Sequence, residues 1–273
     1  MRLCGLRLRL RVRWRRALTD ARKAIAALDR MNEWAAPTEE LLVQQADWLA
    51  PARAQLWRRV HIARRRSILD LGTGHGAVVP ELVRRGRGRV VAVDRLLDVL
   101  HTGGSFVGAH VLAGDAIALP FSAGAFDLVL SQLVLLWVVH ADQAIAEIWR
   151  VLAPGGVLVA LEPDYGGMIE YPPDVATRSL WLQGLERAGA DPYIGRRLPG
   201  LLARVGFEVH VGLFDTLFPP DETRFEFLKG LPLTPEEEAE QTRRHCAAKK
   251  RTGTWEQVAH LPFFLVRATK PER

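Results

Sequence analysis

Cysteine is scarce in this 273-residue chain: there are two, Cys4 and Cys246, far apart and without partners at metal-ligand spacing. A disulfide framework is thereby excluded, and a reduced, cytoplasmic protein is expected. The eight histidines show no H-x₃-H or similar pairing, so no metal site is expected. No apolar run reaches the ~18 residues of a membrane span. The longest, residues 133–139, is flanked by Gln132 and His140 and reads as the end of a buried strand and the turn after it. A broadly basic body is also missing, despite a net charge of +6. Residues 1–30 carry ten Lys or Arg against Asp20 and Asp29, whereas the rest of the chain carries 27 basic and 29 acidic side chains. The basicity is therefore an N-terminal property, which argues against a nucleic-acid enzyme with a wide cationic face.

That N-terminal stretch alternates leucine or valine with arginine through Leu6–Arg13. It lacks the uninterrupted apolar core of about 7–15 residues of a secretory signal, and it lacks the serines of an organelle transit peptide. A basic arm for nucleic acid or anionic lipid is one reading. The favoured one is a disordered leader over residues 1–30, outside the fold, with Met31 the next available start.

The remainder has the 48% hydrophobic content of a globular protein. The chain is organised around Ser67–Leu82, an apolar run with Asp70 inside it, then Gly72, Gly74 and Gly76 at alternate positions, then a helix-like run. A strand, a glycine turn and a helix in this order let backbone approach a nucleotide or nucleoside at the carboxyl edge of a parallel sheet. Gly72, Gly74 and Ala77 also satisfy the dinucleotide pattern, and a turn with no ligand is a further alternative, so downstream residues must decide.

Upstream, residues 31–66 read as N-terminal helices. Thr38 can cap the first, with Glu39 and Glu40 in its opening turn. Pro51 is expected to end it, and a second is expected over residues 52–62. Downstream, strands are expected at 67–71, 89–93, 109–113, 126–131 and 157–161, with helices between them. A sixth strand is expected at 207–214 and a seventh, beginning at Pro262, over 261–268. This alternation specifies a doubly wound, mostly parallel α/β sheet of seven strands, the last antiparallel, over residues 67–273. Helical insertions at about 165–205 and 216–260 are expected to shape an acceptor site. Residues 235–250 form a helix that is Glu-rich first and Lys/Arg-rich last, as the helix dipole favours.

With these residues in hand, the chain resembles the class I S-adenosylmethionine-dependent methyltransferases, in the small-molecule branch of ubiquinone/menaquinone-biosynthesis methyltransferases. The resemblance is carried by ILDLGTGHG (68–76), VVAVD (90–94), GDAIALPF (114–121), FDLVLSQLVLLWV (126–138) and EIWRVLAPGGVLVALEPD (147–164), in family-like order. It implies a Rossmann-like fold, S-adenosyl-L-methionine as cofactor and a small-molecule acceptor. The implied cofactor residues are Asp70, Gly72, Thr73, Gly74, Gly76, Asp94, Arg95, Asp115, Ala116, Ser131 and Gln132. Asp70 would sit under the cofactor's ammonium, Asp94 would accept from both ribose hydroxyls, and Asp115 with the Ala116 N–H would meet adenine. Ser131 and Gln132 would border the methionine part and the transferred methyl.

No base is evident; His140 and Tyr165 are the candidate catalytic residues, with Glu162 and Asp164 also near the strand ends. The expected acceptor walls are Ser131, Gln132, His140, Asp164, Tyr165, Glu170 and Tyr171, with Gly166 and Gly167 giving their loop freedom to close. Trp137, Tyr165, Tyr171, Trp181 and Tyr193 suit an apolar or aromatic acceptor. The residues after Ser131 are not the Pro-Pro-aromatic series of nucleobase methyltransferases, so nucleic acid is disfavoured. Two alternatives stay open: a nicotinamide-dependent reductase, which shares the glycine turn and Asp94, and a non-catalytic cofactor-binding regulator.

Overall fold

The computed structural model describes residues 38–102 and 106–272. The expected leader over residues 1–30 and Cys4 lie outside the described residues. The elements are α1 (Glu39–Arg59), β1 (Ser67–Leu71), α2 (Val79–Arg85), β2 (Arg89–Asp94), α3 (Leu97–Thr102), β3 (Ala109–Ala113), β4 (Phe126–Gln132), α4 (Ala141–Val151), β5 (Leu152–Pro163), β6 (Ile169–Tyr171), α5 (Arg178–Arg187), α6 (Ile194–Val205), β7 (Glu208–Leu213), α7 (Thr223–Lys229), α8 (Pro235–Lys249), β8 (Val258–His260) and β9 (Phe263–Thr269).

Seven strands form one sheet in the order β3-β2-β1-β4-β5-β9-β7. β1, β2, β3, β4 and β5 pair in parallel, and β9 runs antiparallel to both β5 and β7. The last strand is thus the reversed one, as expected. The central strands are buried on both faces because helices cover both, so β1, β4 and β5 are nearly continuous in apolar residues. One face packs Ile145, Ile148, Leu198 and Leu202 from α4 and α6. The other packs Leu49, Leu56, Trp57 and Leu82 from α1 and α2.

Pro51 does not end a helix: α1 runs unbroken through it, and residues 52–59 are its second half. A proline in a helix interior costs about 3 kcal/mol. Pro51 and Asp47, whose carbonyl loses its partner, are both exposed, so water can satisfy that carbonyl. Leu49, Leu56 and Trp57 are buried on the sheet side. Each contributes roughly 1.5–3 kcal/mol, which together outweighs the proline. Pro80 causes no such conflict, because it falls in the first turn of α2.

A second, two-stranded sheet was not expected. β6 pairs antiparallel with β8, joining Ile169 to His260 and Tyr171 to Val258. It links the segment after β5 to the segment before β9. The Gly166-Gly167 pair also differs from a loose closing loop. A Cβ on Gly166 would overlap the Tyr193 ring, and one on Gly167 would come within 2.9 Å of the Asp164 carboxylate. Both glycines permit close packing around a one-turn 3₁₀ segment, Tyr165–Gly167, whose Tyr165 is buried.

Candidate active site

Strand register brings the expected residues together. Leu71 at the end of β1 lies opposite Val93 and Ser131, and Gln132 lies opposite Leu161. The carboxyl ends of β1, β2, β4 and β5 therefore form one edge, where open α/β sheets hold ligands.

The glycine turn leaves β1 with Gly72, Gly74 and Gly76 at φ +68, +53 and +81, a region L side chains rarely adopt. Gly72 and Gly76 also make room inside the protein: a Cβ would come within 2.5 Å of Val134 and 2.8 Å of Phe106, respectively. Gly74 is different. A Cβ there would meet only Leu42 Cδ1 of α1, at 3.9 Å. The Gly74 N–H donates to Asp94 Oδ2 at 2.8 Å, and Leu96 N–H donates to Asp94 Oδ1 at 3.0 Å. Each Asp94 oxygen thus keeps acceptor capacity toward the turn.

Asp70 is buried, and the Thr73 hydroxyl donates to its Oδ2 at 2.6 Å. Burial pushes the Asp70 carboxyl up to about 6, against the opposing effects of the Thr73 bond and the Arg53 charge. Asp115 sits exposed in a turn, its Oδ1 accepting from Ile117 N–H at 3.1 Å, and the Ala116 N–H has no partner among the described residues. Arg95 is exposed.

At the other end of the edge, Ser131 and Glu162 are fully buried. Glu162 Oε1 accepts from Ser131 Oγ at 3.1 Å, Val134 N–H at 3.2 Å and Leu135 N–H at 3.0 Å. Leu133, with φ +58, turns the chain sharply after β4 so that those two N–H groups point back at the carboxylate. Glu162 Oε2 is buried with no partner among the described residues. Burial dominates and pushes this carboxyl up to about 7 despite the donors. Tyr165 is buried nearby, stacked on Trp181 with ring centroids 4.8 Å apart, and burial followed by the Glu162 charge pushes its hydroxyl up.

Several expected acceptor-side residues are otherwise engaged. Asp164 is held by Arg196, with Nη2 to Oδ2 at 2.7 Å. Glu170 accepts from Thr177 N–H and Oγ1 and from Arg178 N–H, so it caps the start of α5. Gln132 Oε1 accepts from Arg53 Nη1 at 3.0 Å. His140 is exposed at the start of α4 without a side-chain bond, and Tyr171 is 64% exposed.

Sequence reasoning missed Arg53, the buried cation that ties α1 to this edge. It bonds Gln132, the Ala46 carbonyl and Glu81, the last at 2.6 Å. Its signal was legible: Arg53 stands four residues after Leu49 and four before Trp57, inside the apolar stripe of α1. His75 lies between the motif glycines Gly74 and Gly76, and its Nδ1 is buried and unpartnered among the described residues.

Among the described residues, no three His, Cys, Asp or Glu side chains come together as a metal site, and no helix is long and apolar enough to cross a membrane.

Residues 69–160 match the model of a methyltransferase domain. A demethylmenaquinone methyltransferase of Thermus thermophilus is 38% identical over 138 residues, 46% of this chain and 61% of that protein. The Thermobifida fusca demethylmenaquinone methyltransferase is 36% identical over 125 residues, 42% of this chain and 52% of that protein. The chain spans about half the length of the curated relatives it matches. A solved candidate methyltransferase of Bacillus halodurans superposes with a TM-score of 0.60 at 20% identity, covering 80% of this chain and 98% of that one. At that identity the likeness establishes the shared fold.

Proposed function

We propose that this chain, which carries a class I methyltransferase domain, transfers a methyl group from S-adenosylmethionine to a small-molecule acceptor. The observation that carries the reading is the Asp94–glycine turn unit. A strand-end carboxylate is held by Gly74 and Leu96 N–H groups, and at Gly74 a Cβ would meet nothing nearer than Leu42 Cδ1 at 3.9 Å. The donor set fits the cofactor's chemistry. Asp94 offers acceptors for a ribose diol, Asp115 and the Ala116 N–H offer one acceptor and one donor for adenine, and Asp70 with Thr73 offers a carboxylate for an ammonium. Gly72, Gly76, Arg95, Ser131 and Gln132 complete the set expected from the sequence.

When bound, the cofactor supplies an electrophilic sulfonium methyl, so the protein must chiefly orient an acceptor and exclude water. Glu162 positions the turn after β4 through Ser131, Val134 and Leu135. For an acceptor that loses a proton, Glu162 is also the group suited to take it. Among the carboxylates at and just after the end of β5, Asp164 and Glu170 are bonded, whereas Glu162 keeps Oε2 free and has its carboxyl raised to about 7. His140, exposed and unheld, is less suited, and Tyr165 is better read as a packing wall.

The demethylmenaquinone relatives favour a flat, apolar acceptor of quinol type, and the stacked Tyr165 and Trp181 accord with one. The test is turnover: purified protein with S-adenosylmethionine and a reduced 1,4-naphthoquinone, followed by mass spectrometry. S-adenosylhomocysteine and a product heavier by one methylene are expected. Failure across naphthoquinol, phenol and amine acceptors would favour the non-catalytic regulator.

A further inference from the structure

Arg224 is the least satisfied cation in the described part of the protein. It stands in α7, stacked over Phe225 at 4.8 Å, with Nη2 donating to Gln257 Oε1 at 2.8 Å. Its Nε and Nη1 atoms are buried and have no partner. Two carboxylates lie within electrostatic reach, Glu170 and Asp221, but neither forms an ion pair with it. Both are committed elsewhere: Glu170 caps α5, and Asp221 Oδ1 accepts from Thr223 N–H at 2.9 Å. Arg224 as a whole is half-buried, but shielding these two N–H groups from water without a hydrogen-bond partner costs free energy that packing alone does not explain.

The position matters as much as the deficit. Thr223, beside it, accepts from Gln44 of α1 at 3.0 Å, and Phe227 packs on Trp48 of α1. The same helix reaches the glycine turn through Leu42 and the end of β4 through Arg53. Gln257 leads into β8, whose partner β6 follows the end of β5. Arg224 therefore belongs to the cap that α1, α7 and the β6–β8 ribbon build beside the carboxyl edge of the sheet.

We propose that Arg224 is a recognition residue for the methyl acceptor, and that the acceptor presents an anionic oxygen to it: a carboxylate, phenolate or enolate on an otherwise apolar body. This rests on the methyltransferase reading and narrows its substrate class. The unbonded Nε and Nη1 N–H groups are the donors, and N–H groups shielded from water bind such an oxygen more strongly than fully exposed ones.

The experiment is a thermal-shift series with the full chain, wild type and Arg224→Met, using benzoate as probe and benzyl alcohol at equal concentration and ionic strength as control. Wild type should gain several degrees with benzoate and nothing with benzyl alcohol. Arg224→Met should melt no lower than wild type without probe, and should show no benzoate shift. A purely structural arginine gives the opposite baseline, a clear drop in melting temperature on substitution. That drop, or benzoate protecting both proteins or neither, overturns the proposal. S-adenosylmethionine binding is measured on both proteins in parallel and should be equal. Its loss from wild type would sink the methyltransferase reading while leaving the benzoate result readable.

Discussion

Glu162 carries three donors on one oxygen and none on the other. Its carboxyl is raised to about 7 by burial, from an ordinary value of 4.5. The folded protein therefore keeps the proton over a range in which the unfolded chain has released it. This contribution to stability is full below about 4.5 and is lost as pH rises through about 7. Glu162→Gln keeps an oxygen for the three donors and has nothing to titrate. Between pH 5 and pH 8 the wild type should lose stability relative to Glu162→Gln, by a few kcal/mol at most. Asp70 shifts in the same direction but is common to both proteins and cancels. Melting curves across that range provide the check; parallel pH profiles would mean that Glu162 does not titrate there. The residue's position at the end of β5 was legible in the sequence. Its state was not, because the donors come from the end of β4 and the turn after it, about thirty residues away.

At the scale of elements, α1 is held less by its helix propensity than by what it reaches. Arg53 and Glu81 are almost completely buried together, with side chains 4% and 11% exposed, and Trp57 Nε1 also donates to Glu81 at 3.2 Å. Removing one partner of such a pair leaves the other charge buried and alone, at a cost of about 3–5 kcal/mol. Arg53→Ala should therefore be strongly destabilising in urea titrations. Arg53→Met combined with Glu81→Gln should cost much less than the sum of the single changes. An Arg53→Ala protein within about 1 kcal/mol of wild type would remove the pair from the account of how α1 is anchored. The same helix shows where local rules lose. Pro51 reads as a stop in the sequence, but an exposed proline with buried Leu49, Leu56 and Trp57 around it is outvoted by packing.

For the molecule as a whole, the parallel core was legible because its strands are short apolar runs, three of them closed by Gly72, Asp94 and Gly114. Asp70, Asp94, Ser131 and Glu162 fall at adjacent strand ends by register alone. The β6–β8 ribbon was not legible: each strand has three residues, too few for a period, and their partners are almost ninety positions apart. Arg224 escaped notice for a related reason, since an unsatisfied donor becomes visible only when all its neighbours are in place. The cofactor site proposed at the sheet edge has Asp94 at its centre. Calorimetric titration of S-adenosylmethionine into wild type and Asp94→Ala, with NADH as the competing ligand, tests that centre directly. Saturable binding of S-adenosylmethionine to wild type is expected, weakened in Asp94→Ala by about 1–3 kcal/mol, with no binding of NADH. Equal affinity of the two proteins for S-adenosylmethionine, or a wild type that takes NADH in its place, would contradict the account.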